Sequence, residues 1–280
     1  GSALLTNDGL GLDPLVMKTL TRQLASLHAL GHEVVLVSSG AIAAGLVRLN
    51  LSERPREIHL SQAAAAVGQS ALVRAYEDCL GPHGVVTAQI LLSHADVRAR
   101  DRYLNARSTL NTLLGMGVLP IINENDTVVT DEIRLGDNDT LAALVANLVD
   151  AEALLILTDQ DGLMDRDPRQ DKDAKLIASA DVHDPDLDAI AGEGSALGRG
   201  GMATKLSAAR LAARSGTSTI IANGRLPDVI PKVVEGQLVG TFLHTNRQPL
   251  SARKQWLASL LHAQGQLVLD EGAVTVRSEE

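Results

Sequence analysis

Several short polar clusters in this 280-residue sequence follow apolar, β-branched runs, and their residue types suit the handling of anions and ammonium groups. After the run 34–37 come Ser38, Ser39 and Gly40. The glycine permits close backbone approach to an anion, and Ser39 adds a hydroxyl. Asn123-Glu-Asn-Asp126 follows the apolar run 118–122, and Gly136-Asp-Asn-Asp139 opens a helical pattern. Asp and Asn are preferred helix caps, but two such clusters so close together exceed what capping needs. Together they suit an ammonium group and the orientation of a cation or a lysine. Thr158-Asp159 follows the apolar run 154–157, and Gly198-Arg-Gly-Gly-Met-Ala-Thr-Lys205 leads into a helix that starts near Met202 and carries Lys205 on its first turn. Backbone N–H groups, the helix dipole and one ammonium converge there, which suits a polyphosphate.

Other phosphate and metal signatures are weaker. The chain has no G-x-x-x-x-G-K-[ST] loop and no G-x-G-x-x-G fingerprint after a strand, so a dinucleotide reading has little support. His28 and His32 have the spacing of a metal pair, but Gly31 ends the helix between them and no third ligand is near. Arg98, Arg100, Arg102 and Arg107 alternate with Asp96 and Asp101, the pattern of a solvated, ion-paired helix face.

The elements that must position these clusters alternate strand and helix, the pattern of an α/β protein with a largely parallel sheet covered on both faces. Helices are expected over about 13–30, with an apolar face of Leu15, Leu20, Leu24, Leu27 and Leu30 and a stop at Gly31, and over 42–49, 61–80, 103–114, 139–149 and 202–214. Strands are expected at 34–37, 85–92, 118–122, 154–157 and 218–222. Between 160 and 201 the pattern loosens, with a weak strand at 176–178 and a short helix at 186–191, and this segment reads as a mobile lid. In an open parallel sheet, ligands sit beyond the carboxyl ends of the strands, where all four clusters fall.

Composition narrows the function. A formal net charge of -9, with one Trp, two Tyr and one Phe, argues against a nucleic-acid surface. An acidic protein that binds anions must assemble local positive potential from a few cations and backbone N–H groups. Cys79 is the single cysteine, which fits a reducing compartment, and no apolar run approaches the roughly 20 residues that span a bilayer. A cytoplasmic protein is expected.

Val37-Ser-Ser-Gly-Ala-Ile-Ala-Ala-Gly45, Ala66-Val-Gly-Gln69, Tyr103-Leu-Asn-Ala-Arg107, Ile121-Ile-Asn-Glu-Asn-Asp126, Gly136-Asp-Asn-Asp139, Leu157-Thr-Asp159 and Gly200-Gly-Met-Ala-Thr-Lys205, in this order, resemble the amino acid kinase family. The match is to those members that phosphorylate the γ-carboxylate of L-glutamate in the first step of proline biosynthesis. The resemblance implies a three-layer α/β/α sandwich with a mainly parallel central sheet. It implies Mg2+ and ATP as the phosphoryl donor, a homo-oligomer, and proline as feedback inhibitor. Ser39, Gly40, Asp126 and Asn138 are then the glutamate-binding residues. Thr158, Asp159, Arg199, Gly200, Gly201, Met202, Ala203, Thr204 and Lys205 are the ATP-binding residues, and Lys205, Asp139 and Asp137 the catalytic ones, with no protein-held metal site. Residues 1–250 form the catalytic domain, whose first strand, ending in the family's Lys-x-Gly-[ST], is missing. Residues 251–280 form a linker and the start of a truncated PUA domain, with two short strands in 266–277. Related kinases that act on acetylglutamate, carbamate, aspartate or a nucleoside monophosphate, and an inactive truncated form, are the alternatives.

Overall fold

The structure, a computed structural model, describes residues 2–6, 11–128, 138–167, 171–192 and 201–245. Ten α-helices and seven strands lie within the described residues. The helices are α1 Ser2–Leu5, α2 Pro14–Ala29, α3 Ala41–Arg48, α4 Ile58–Leu80, α5 His94–Arg98, α6 Arg100–Gly115, α7 Asn138–Leu148, α8 Asp186–Gly192, α9 Met202–Ala212 and α10 Val229–Val234. The strands are β1 Leu36–Val37, β2 Thr87–Leu92, β3 Leu119–Glu124, β4 Ala153–Thr158, β5 Ser179–Asp181, β6 Ser218–Asn223 and β7 Thr241–His244.

The strands pair in two groups, in the orders β1-β3-β2 and β4-β6-β7-β5. Four of the five pairings are parallel and only β6 with β7 is antiparallel, so the sheet is mainly parallel as expected. Helices cover both faces. Ile121 of β3 packs in one cluster with Ile220 and Ala222 of β6, under Leu20 and Leu24 of α2 and Leu72 and Tyr76 of α4. Ile122, one residue on, packs against Leu110 of α6 and Leu141 of α7, and Ile221 against Leu206 and Ala209 of α9. Successive strand residues therefore serve opposite layers, as the period of two requires.

Local chemistry explains the helix ends that matter. The Asp13 carboxylate caps α2 by accepting from the N–H groups of Leu15 at 2.9 Å and Val16 at 3.2 Å, with Pro14 in the first turn. Helices α3 and α4 touch through their backbones. A Cβ on Gly45 or Gly68 would lie 1.8 Å from the carbonyl oxygen of Ala64 or Ala41 respectively. This contact fixes α3, and with it the turn that precedes it.

Several expectations need correction. Leu15 and Leu30 are exposed, so the buried face of α2 is built instead on Met17, Leu20, Leu24 and Leu27. Residues 176–178 are not a strand: Leu176 bridges Met164 and the strand begins at Ser179, where pairing with β7 sets the register. Long-range pairing overrides the local apolar run here. Leu163, Val182, Leu187 and Ala191 are buried with α9, so the described part of 160–192 is anchored in the core rather than free as a lid. Helix α10 and strand β7 were not anticipated. Pro231 sits in the first turn of α10, where its missing N–H costs nothing, and β7 has only four residues. The strands expected in 266–277 and the whole of 251–280 lie outside the described residues.

Candidate active site

At the carboxyl end of β1, Ser38, Ser39 and Gly40 make the turn into α3. Ser38 N donates to Ile122 O at 2.9 Å, which extends the β1–β3 ladder, and Gly40 then turns at φ 108°. That backbone conformation is rarely open to other residues. Asn138, the first residue of α7, donates through Nδ2 to Ser39 Oγ at 2.8 Å, Asn123 Oδ1 at 3.0 Å and Ser38 O at 3.2 Å. Asn123, in β3, donates through its own amide to Gln69 Oε1 of α4 at 2.9 Å. Ser38 Oγ spends its proton on Ser39 O at 3.0 Å and so accepts from the Tyr76 hydroxyl at 2.7 Å. Burial pushes the Tyr76 phenol up to about 12, which keeps it a donor.

Beside this network lies a cavity of about 250 Å³, lined by Gln69, Ser70, Gln89, Glu124, Asn125 and Asp126 among others. Burial pushes the Asp126 carboxyl up to about 6, and the positive charge of Arg54 offsets only part of that. A carboxylate held this way gains from a cationic ligand, because an ammonium restores the stabilisation that water gave it.

Asp139, next to Asn138 on α7, faces the other way in chemistry. Its carboxylate accepts from Lys205 Nζ at 2.8 Å, with side-chain exposures of 17% and 9%, so the pair is largely withdrawn from water. Thr204 Oγ1 lies 3.5 Å from the same oxygen and donates to Gly201 O at 2.7 Å. Gly201 caps α9 without a side-chain hydrogen bond, and the first N–H groups of a helix have no intrahelical acceptor, which suits an anion. The Met202 and Ala203 side chains pack against the core, leaving their backbone as the group that can meet a ligand. At the end of β4, Thr158 Oγ1 donates to Asp159 Oδ1 at 3.1 Å, and Gly224 N donates to Thr158 O at 2.9 Å.

Of the residues picked out in the sequence, Ser39, Gly40, Asn138, Asp139, Thr204 and Lys205 form one connected group, and Asp126 lines the adjoining cavity. Thr158 and Asp159 pair with each other at a neighbouring strand end. Asp137, Arg199 and Gly200 lie outside the described residues. Asn123, Gln69, Tyr76 and Arg54 were not singled out as site residues, although Asn123 and Gln69 stand inside motifs quoted above. The arginines of α5 and α6 behave as a paired surface, with Arg102 on Asp96 at 2.6 Å and Arg107 on Asp150 and on Leu148 O. His28 Nε2 is bonded to Gly117 O at 2.8 Å.

A family model described as the amino acid kinase family matches residues 1–223. The chain belongs to the amino acid kinase family. Among relatives, glutamate 5-kinase of Saccharophagus degradans is 58% identical over 280 residues, covering 100% of this chain and 75% of that protein. Glutamate 5-kinase of Pseudomonas fluorescens is 60% identical over 280 residues, with the same shares of each chain. A crystal structure of UMP kinase from Bacillus anthracis is similar in fold, with a TM-score of 0.58 at 17% identity, covering 88% of this chain and 93% of that one. In this amino acid kinase the polar clusters gather at strand ends and at the heads of α3, α7 and α9, where ligands of an open parallel sheet generally bind. Among the described residues no helix is long and apolar enough to cross a membrane.

Proposed function

We propose that the chain transfers the γ-phosphoryl group of ATP to the γ-carboxylate of L-glutamate, giving γ-glutamyl phosphate and ADP in the first step of proline biosynthesis. One observation carries this reading beyond the family: adjacent residues at the head of α7 join the two halves of the site. Asn138 reaches Ser39 on the acceptor side, and Asp139 holds Lys205 on the phosphate side. A reaction between a small acid and a polyphosphate needs this juxtaposition.

No general base is required, since a glutamate side chain with a reference pKa of about 4.3 is already ionised at neutral pH. A carboxylate oxygen attacks the γ-phosphorus, the bond to the bridging β-γ oxygen breaks, and that electron pair leaves on ADP. The protein's task is alignment and charge neutralisation. Asp126 takes the α-ammonium group, and Ser39, the Gly40 turn and the backbone N–H of Asn138 at the head of α7 hold glutamate carboxylate oxygens. Lys205, oriented by Asp139, meets the transferring phosphoryl group. The N-terminal turn of α9, with Gly201 to Thr204, cradles the other phosphates, and Thr158 and Asp159 bind the nucleoside side. Asp137, Arg199 and Gly200 are proposed for the same surface on the family pattern. Mg2+ would arrive with ATP and would supply positive charge to the phosphates during transfer. Proline inhibition, a homo-oligomer, a cytoplasmic location and the assignment of 1–250 as catalytic domain and 251–280 as linker and PUA-type segment belong to the same proposal; proline titration, sedimentation, fractionation and limited proteolysis test them in turn.

Hydroxylamine traps an acyl phosphate as a hydroxamate, so the direct test supplies ATP, Mg2+, hydroxylamine and one acceptor. L-Glutamate is expected to give γ-glutamyl hydroxamate, while N-acetylglutamate, which lacks the cation for Asp126, gives little. Equal use of the two would favour an acetylglutamate kinase.

A further inference from the structure

We infer that Gln69, which no role assigned above includes, is a specificity-determining residue whose amide nitrogen donates to the α-carboxylate of the amino acid acceptor. This rests on the glutamate kinase reading and deepens it. Gln69 is 8% exposed, and its two polar atoms are in different situations. Oε1 accepts from Asn123, while the buried Nε2 has no hydrogen-bond partner among the described residues. The same side chain lines the cavity that Asp126 lines. Buried amide groups in native proteins nearly always find a partner, and an open donor beside a cavity is satisfied by what the cavity takes up.

The direction of the hydrogen bonds explains why a nitrogen is left over. Asn138 spends its amide protons on Ser39 and on Asn123 Oδ1, and Asn123 passes its own on to Gln69 Oε1. Gln69 thus uses its oxygen inside the relay and keeps its nitrogen for the cavity. The cavity offers the Gln69 donor together with the carboxylates of Asp126 and Glu124, so the complementary ligand is an α-amino acid head, with its ammonium on the acidic side at Asp126 and its carboxylate on Gln69. The relay then ties recognition of that head to Asn138, so the side-chain carboxylate is presented at Ser39 only when the α-groups are seated.

Two variants and two acceptors test this in the full chain. Gln69→Glu keeps an oxygen for Asn123 and loses only the donor; at alkaline pH, where the introduced carboxylate is ionised, it should raise the glutamate KM by at least about tenfold and leave the ATP KM within about twofold. Isoglutamine, the α-amide of glutamate, has a donor where glutamate has a charge. The ratio of kcat/KM for glutamate over isoglutamine should therefore fall by at least about tenfold in Gln69→Glu relative to the native chain. Gln69→Met also removes the acceptor for Asn123 and should lower kcat as well as raise the glutamate KM. An unchanged glutamate KM and an unchanged acceptor ratio in Gln69→Glu would overturn the inference and leave Gln69 a structural residue. Failure of the native chain to phosphorylate glutamate at all would instead overturn the reading on which it rests.

Discussion

The acceptor side and the phosphate side of the site are built from different materials. Around Ser39 the contacts are made by neutral groups, the amides of Gln69, Asn123 and Asn138 and the hydroxyls of Ser38 and Tyr76. Around Lys205 they are ionic, with one buried ammonium on one carboxylate. Neutral amides have fixed donor and acceptor ends and no net charge to desolvate, so they hold a small ligand in one orientation at low cost. An ion pair is less selective in direction but responds to charge. When a polyphosphate arrives, Lys205 can share its protons between Asp139 and the incoming oxygens, and Asp139 keeps the ammonium aimed while it does so. Geometry is thus set on one side and charge is managed on the other.

The largest expected effect comes from removing the charge. Lys205→Ala should lower kcat by about 10²-fold, the range found for loss of one donor to a developing charge, with the glutamate KM changed by less than about threefold. Initial rates at saturating ATP and glutamate measure it. A large rise in glutamate KM with kcat intact would place Lys205 on the acceptor side and dissolve the distinction.

Asp126 sharpens the comparison because it is the one ionisable group on the acceptor side whose carboxyl is pushed up to about 6. Its folded pKa lies above its unfolded value of about 3.9, so in the ligand-free protein the group favours folding fully only below that value. The benefit is lost as the pH rises through about 6, a swing of at most about 3 kcal/mol at about 1.4 kcal/mol per unit. Asp126→Asn should accordingly raise the midpoint of urea unfolding of the ligand-free protein at pH 7. The same variant should raise the glutamate KM about ten- to hundredfold, the worth of one charge-assisted hydrogen bond. In the native chain the glutamate KM should climb as the pH falls below about 6, and this dependence should flatten in the variant. A variant that is both less stable at pH 7 and unchanged in KM would mean that Asp126 is a structural carboxylate.

The contrast also explains what could be read in the sequence. Strand ends, helix heads and the clusters at them were legible, because apolar runs and glycine stops mark them locally; the clusters that hold Ser39, Asn138, Asp139 and Lys205 stood out this way, the family resemblance singled out these residues within them, and the structure brings them together. The second half of the acceptor side was not. Gln69 and Tyr76 sit mid-helix in α4 and look like ordinary residues of an amphipathic pattern; only the packing of α4 under β3, together with its close contact to α3 at Gly68, turns them toward the site. Strand β5 was misplaced by three residues for a related reason, since its register is set by β7, which lies more than fifty residues away in the chain. Local pattern fixes which residues end an element, and long-range pairing decides which neighbours they meet.

The smallest expected effect tests whether the neutral network matters as geometry rather than as binding energy. Tyr76 is 1% exposed and touches the site only through Ser38 Oγ, which in turn bonds Ser39 O. In Tyr76→Phe the ring still fills its place between α4 and the sheet, so the core loses no volume and one hydrogen bond is removed. That should lower stability by about 0.5 to 1.5 kcal/mol, seen as a shift of the urea midpoint without a change in slope. The Ser38–Ser39 turn keeps its bond to Ile122 but loses the contact that holds the Ser38 hydroxyl. The glutamate KM should then rise by about two- to fivefold, with the ATP KM and the effect of Lys205→Ala unaltered, because among the described residues the two sides meet at the head of α7. Since the phenol is pushed up to about 12, it stays protonated, and the Tyr76→Phe effect should be the same at pH 7 and pH 9. An ATP KM that rises as far as the glutamate KM would show that the neutral network supports both sides, and the division drawn between them would fail.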